Sequence, residues 1–78
     1  MMISKSLTYY LSLPYTIELT PDEEGFWFVQ IPLLKGCMTQ GASREEALEM
    51  LDEAKALWLE TALEEGIPIP EPVGVMPS

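Results

Sequence analysis

The chain has 78 residues, of which 13 are acidic and 4 are basic, and its formal net charge at pH 7 is −9 with no histidine. A chain this short forms one domain at most and buries only about 60 % of its unfolded surface, which favours additional burial by self-association. The negative charge argues against direct binding of nucleic acid, which depends on Lys and Arg, and no apolar run reaches the roughly 20 residues that cross a bilayer.

The N-terminus and the cysteine content indicate a cytoplasmic protein. The first residues lack the basic-then-apolar order of a signal peptide, and the single cysteine cannot form an internal disulfide. The acidic excess has two interpretations. It steers a basic partner toward the domain, or it is only a solvated face that keeps the protein soluble.

A β-hairpin is predicted in the first part of the chain. Residues 1–13 have no strict period, and either a short helical turn or a ragged strand fits them. YTIELT, residues 15–20, alternates apolar and polar side chains, which predicts a strand with one buried face. PDEEG, residues 21–25, has turn composition, and FWFVQI, residues 26–31, predicts the second strand.

A short third strand and a long helix follow. Pro32 ends the second strand because it has no N–H, and CMTQG, residues 37–41, completes an antiparallel meander. Ser43 and Glu46 fit a capping box, which begins a helix at Arg44. The helix is predicted to run to about Glu64, because the segment contains neither Gly nor Pro and then meets Gly66 as a C-terminal cap.

The predicted helix has a broad apolar side and an acidic side. Met50 and Leu57 lie beside the apolar side and widen it, so they are either ordinary core or a subunit contact. We also expect Tyr9, Tyr10 and Leu11 to pack on the helix or on a second subunit. The apolar side comprises Ala47, Leu48, Leu51, Ala54, Trp58, Leu59 and Ala62.

The proline-rich segment 67–72 predicts a short edge strand, with Ile67 and Ile69 pointing into the core. Residues 73–78 are expected to be a loose C-terminal tail. The predicted fold is therefore α+β in the order β-β-β-α-β. It is a single domain over residues 1–72, in which a three-stranded antiparallel meander and a short edge strand pack on one long helix.

Catalytic chemistry finds little support among these residues. Cys37 has no histidine as its base, and although Lys35 is near in sequence, a small strand cysteine is more often buried filler. Glu18 and the acidic turn could imitate a metal-dependent nuclease site, but strand alternation puts Glu18 in solvent. We expect no cofactor and no metal.

Three segments together resemble a known family. DEEGFWFVQIPLLKGCMTQG combines an acidic turn, a strand, Pro-x-Leu-x-Gly-Cys and a short strand closed by glycine, and SREEAL and GIPIPEP follow at matching distances. With these spacings, residues 15–72 closely resemble the N-terminal domain of HicB-type antitoxins. The matching positions are Gly25, Pro32, Gly36, Cys37, Gly41, Ser43, Glu46, Ala47, Gly66, Pro68 and Pro70.

The resemblance implies a partial ribonuclease-H-like fold without catalytic machinery. Family members neutralise HicA-type toxins, which are small basic RNA-cleaving proteins whose active histidine the antitoxin blocks. The resemblance also makes Cys37 a strand position in a scaffold. HicB-type antitoxins usually continue into a DNA-binding module, whereas this sequence ends six residues after Pro72. We therefore expect a single-domain member that does not bind an operator by itself.

Three functions remain as hypotheses. The first is a non-catalytic protein that sequesters a HicA-type toxin, with steering by carboxylates of the turn and of the outer helix face. The second is a homo-oligomeric module, dimer or tetramer, without a toxin. The third is a metal-dependent hydrolase. The candidate steering residues are Asp22, Glu23, Glu24, Glu49 and Glu53.

Overall fold

The computed structural model describes residues 6–72. A three-stranded antiparallel sheet, whose strands pair in chain order, lies against one long helix, and a short helix precedes the sheet. This confirms the predicted α+β class and the meander. The elements are α1 (Leu7–Leu11), β1 (Glu18–Pro21), β2 (Trp27–Gln30), β3 (Met38–Gly41) and α2 (Arg44–Glu65).

The β1–β2 hairpin closes through the acidic turn. The Asp22 N–H donates to the Phe26 carbonyl at 2.7 Å, and the Asp22 carboxylate accepts from the Glu24 N–H at 3.3 Å. Strand β1 begins three residues later than predicted because its partner β2 ends at Gln30, opposite Glu18. Ile17 is accordingly 43 % exposed rather than buried.

Capping groups set both ends of α2. The Ser43 hydroxyl accepts from the Glu46 N–H at 3.1 Å, and the Glu46 carboxylate accepts from the Ala42 N–H at 2.6 Å, so the predicted capping box is present. Gly66 ends the helix in the left-handed region with φ 70°, as a C-terminal cap requires. The Ile67 N–H then donates to the Ala62 carbonyl at 2.9 Å.

The core lies between the sheet and α2. It is completed by two tyrosines, Tyr10 from α1 and Tyr15 from the segment before β1. Leu48, which the helical pattern placed on the core side, is 38 % exposed, because it lies at the edge of the buried stripe. The buried side chains that fill this core from both layers are Val29, Ile31, Leu34, Cys37, Ala47, Leu51 and Leu59.

The predicted edge strand over residues 67–72 is wrong, and the observed order is α-β-β-β-α within the described residues. Prolines at three of these six positions remove the N–H groups that a ladder needs. The segment is held instead by the Tyr15 hydroxyl, which donates to the Pro70 carbonyl at 2.7 Å. Ile69 packs against the core as predicted, whereas Ile67 is 46 % exposed because it directly follows the helix cap.

The proposed tail, residues 73–78, lies outside the described residues. Across residues 6–72, neither helix combines the length and the apolar character needed to cross a membrane.

Candidate functional site

Cys37 is a buried residue directly before β3, which begins at Met38, one residue later than predicted. Its side chain is 2 % exposed, its N–H donates to the Leu34 carbonyl at 2.9 Å, and its carbonyl accepts from the Ile31 N–H at 3.0 Å. Burial raises the pKa of the thiol, and the Lys55 ammonium opposes that rise only in part. The thiol therefore stays protonated near neutral pH, where a nucleophile would need the thiolate.

The residues that carried the family resemblance do not gather around one cavity. They lie in the turns of the sheet, at the two ends of α2 and in the segment after it, and only Gly36 and Cys37 line the groove described next. Among the glycines of this set, Gly41 has the least space: a Cβ built there would be 2.6 Å from the Ala47 backbone nitrogen. Gly41 therefore permits the close approach of β3 and α2.

An open groove of about 470 Å³ lies between the C-terminal half of α2 and the connection from β2 to β3. Its chemical character is apolar. The indole N–H of Trp58 donates to the Lys35 carbonyl at 2.8 Å and so ties the helix to that connection. The lining residues are Lys35, Gly36, Cys37, Ala54, Leu57, Trp58, Thr61, Ala62 and Ile67.

Leu57 stands at the edge of this groove and is 65 % exposed, the largest exposure among the large apolar side chains of residues 6–72. Met50 precedes it by seven residues, two helical turns, and therefore lies on the same side of α2 about 10 Å away. The sequence indicated Met50 and Leu57 as a pair. It did not indicate the groove, which depends on residues 35–37 and Ile67 meeting the helix in space.

Four exposed glutamates lie along α2, next to Leu57. Residues three or four apart on a helix are neighbours, so Glu53 and Glu60 flank Leu57 on the side away from the core. Two more glutamates extend the series by one turn in each direction. We call this set the acidic row, comprising Glu49, Glu53, Glu60 and Glu64.

The acidic turn between β1 and β2 is remote from the groove. Trp27 pairs with Gly41, so the turn lies at the end of the sheet where α2 begins, whereas the β2–β3 connection lies at the opposite end. The structure therefore separates the predicted steering residues into two groups. Asp22, Glu23 and Glu24 are exposed at one end, and Glu49 and Glu53 belong to the acidic row.

The N-terminal tyrosines have different environments. Tyr10 is buried in the core and offers little surface to a partner. Tyr9 is 36 % exposed, and its hydroxyl donates to the Glu71 carboxylate at 3.0 Å. Lys55 donates to the Leu11 carbonyl at 3.3 Å, which attaches α2 to α1.

Glu18 faces solvent, as strand alternation predicted, and accepts from the Gln30 side-chain amide at 2.9 Å. In the part of the chain that the structure describes, no three Cys, Asp or Glu side chains form a group suited to a metal ion.

The amino-acid sequence of the chain matches one family model. That model, described as HicB_like antitoxin of bacterial toxin-antitoxin system, matches residues 14–76. The chain belongs to this family of antitoxins. Membership supports an antitoxin role, which implies a toxin of some kind as the partner.

Relatives from bacteria and archaea are similar to the chain. Antitoxin HicB 1 of Photorhabdus laumondii is 45 % identical over 65 residues, which cover 81 % of this chain and 42 % of that antitoxin. The UPF0150 protein Ta0767 of Thermoplasma acidophilum is 38 % identical over 58 residues, covering 74 % of this chain and 84 % of the relative. The UPF0150 protein ssl0259 of Synechocystis is 50 % identical over 48 residues, 62 % of this chain and 66 % of the relative. No solved structure matches the chain.

Proposed function

We propose that the chain is a non-catalytic antitoxin that binds and sequesters a small basic ribonuclease of the HicA type in the cytoplasm. The observation that carries this proposal is the acidic row, which presents Glu49, Glu53, Glu60 and Glu64 on one exposed face of α2. A ribonuclease needs a basic surface to hold the phosphates of its RNA substrate. The same surface is attracted to a row of carboxylates.

Sequestration follows from competition for that basic surface. The chain carries a net charge of −9, which accelerates encounter with a cationic protein and repels RNA from the complex. No catalytic group, cofactor or membrane contact is needed for this function. The proposed function does not include direct binding of nucleic acid by the chain, because the negative charge of the chain would repel the phosphates.

A second candidate function is a homo-oligomeric module without a toxin. The exposure of Leu57, 65 %, and of Met50, 41 %, favours it, because a small domain gains stability by covering such side chains with another copy. Sedimentation velocity of the chain alone distinguishes this candidate. A dimer or tetramer that Leu57→Glu dissociates would support it, and a wild-type monomer would contradict it.

Affinity capture tests the leading proposal. The tagged chain is incubated with its native lysate at moderate salt, and the bound proteins are identified by mass spectrometry. We expect a stoichiometric, small, basic, histidine-containing protein that cleaves RNA when it is isolated. The charge-reversed variant Glu53→Lys/Glu60→Lys serves as the control and should retain less of it. Recovery of the chain alone would contradict the proposal.

A further inference from the structure

We infer that the groove beside Leu57 anchors an apolar side chain of a basic protein partner, while the acidic row holds the Lys or Arg residues next to that side chain. This inference rests on the proposed function and adds the place and chemistry of the contact. Neither the family match nor the names of the relatives assign a binding surface to the chain.

The dimensions of the groove fit this use. Its volume of about 470 Å³ lies within the range of sites that enclose ligand groups, and it has room for more than one large side chain. Buried anchors of this kind supply most of the affinity in protein interfaces. Leu57 at its edge is 65 % exposed, so it offers apolar surface that a partner would remove from water.

The floor of the groove is formed before any partner binds. Ala62, which lines the groove, is buried, and the Trp58 indole is fixed by its 2.8 Å hydrogen bond to the Lys35 carbonyl. Cys37, another lining residue, is held by two backbone hydrogen bonds of the β2–β3 connection. A preformed surface loses less conformational entropy on binding, which increases affinity.

The charges around the groove select the occupant. Glu53 and Glu60 neighbour Leu57 on α2, and Lys35 is the one basic residue that lines the groove within the described part of the chain. An apolar side chain flanked by Lys or Arg is complementary to this arrangement. A second copy of the chain is not, because a two-fold contact brings the same surface of both copies together and so places two acidic rows in one interface.

Groove and acidic row contribute to different steps of binding. Charges at the rim of an interface mainly change the association rate, whereas a buried anchor mainly changes the dissociation rate. Substitution of Leu57 should therefore accelerate dissociation. Neutralisation of the row should slow association.

The test compares two matched variants of α2. Leu57→Glu puts a charge at the groove, and Leu48→Glu makes the same substitution at a side chain of the same helix that is 38 % exposed and does not line the groove. The probe is the basic ribonuclease recovered by capture, used as a variant in which its histidines are replaced. Kinetics of binding are measured on the immobilised chain, and circular dichroism verifies that each variant is folded.

We expect Leu57→Glu to weaken binding at least about 30-fold, mainly through faster dissociation, and Leu48→Glu to weaken it less than about threefold. A second readout uses Trp58 as the only tryptophan. The chain has two tryptophans, and Trp27→Phe removes the other. Binding of the partner should then change the emission of Trp58 in the groove.

The remaining outcomes overturn the inference in distinguishable ways. If Leu57→Glu binds the ribonuclease as the wild type does, the groove is not the anchor, while the proposed function stands. If no basic ribonuclease binds the wild-type chain, both the inference and the proposed function are wrong. If the wild-type chain is a dimer that Leu57→Glu separates, a second copy covers the groove and the inference is wrong.

Discussion

Gly41 and Ala47 are in direct backbone contact: a Cβ at position 41 would lie 2.6 Å from the Ala47 nitrogen and 2.8 Å from its Cα. Real Cβ atoms do not approach other atoms so closely. The last residue of β3 therefore abuts the first turn of α2. This contact positions the helix that carries the groove and the acidic row.

Substitution of Gly41 by alanine should be strongly destabilising. The obstruction is backbone that cannot rotate away, so we expect a loss of about 3 kcal/mol in the free energy of unfolding, measured by urea titration. Gly66→Ala is the comparison, because Gly66 has a positive φ of 70° but the Cβ added there would lie in open space. This substitution should cost only about 1 kcal/mol. Equal losses for the two variants would contradict the close approach.

The capping box gives a second stability prediction. Ser43→Ala removes the acceptor of the Glu46 N–H and should lower the free energy of unfolding by about 1 kcal/mol. Ser43→Asp keeps an acceptor at this position and should restore most of that loss. If Ser43→Ala were as stable as the wild type in urea titrations, the cap would not contribute.

The environment of Tyr15 should make the stability of the fold decrease at alkaline pH. Burial is the main reason why the pKa of its hydroxyl is raised, and the Glu71 carboxylate and the hydroxyls of Tyr10 and Tyr9 add to the effect. The unfolded chain therefore loses this proton first. The stabilisation is complete below about pH 10 and is lost as the pH rises through the pKa of the folded state.

Tyr15→Phe isolates this contribution. The variant loses the 2.7 Å hydrogen bond to the Pro70 carbonyl and should be about 1 kcal/mol less stable at pH 7. The difference from the wild type should become smaller above about pH 10, because only the wild type has a Tyr15 hydroxyl to ionise. Urea titrations at a series of pH values measure this difference. A difference in the free energy of unfolding that stays constant up to about pH 11 would show that folding does not raise the pKa of the Tyr15 hydroxyl.

The local parts of the fold were predictable because their determinants are close together in sequence. Alternation and turn composition located the hairpin, although β1 starts at Glu18 because strand length depends on the partner strand. The caps of α2 at Ser43, Glu46 and Gly66 interact with residues only a few positions away in the sequence. The capping rules therefore predicted both ends of the helix.

The groove and segment 67–72 were not predictable in the same way. The groove depends on residues 35–37 meeting α2 through the hydrogen bond between Trp58 and the Lys35 carbonyl, which are 23 residues apart. Segment 67–72 is fixed by Tyr15, 55 residues from Pro70. Periodicity describes one element at a time and carries no information on such contacts.

The two groups of candidate steering carboxylates can be compared directly. Glu53→Gln/Glu60→Gln and Glu23→Gln/Glu24→Gln remove the same charge, but only the first pair lies beside the groove. We expect the first pair to lower the association rate with the captured ribonuclease more than the second. Raising salt from 0.1 to 1 M shortens the Debye length from about 10 to about 3 Å and should reduce the difference. A wild-type association rate that is insensitive to salt would remove the acidic row from the mechanism.

The most direct measurement is a titration of RNA cleavage. The captured ribonuclease is held at a fixed concentration with a labelled RNA, and the purified chain is added in increasing amounts. We predict that cleavage falls linearly and stops at a fixed stoichiometric ratio, while Leu57→Glu inhibits only at much higher concentration. Undiminished cleavage at saturating wild-type chain, or cleavage of RNA by the chain alone, would contradict the assignment of an antitoxin that acts by sequestration.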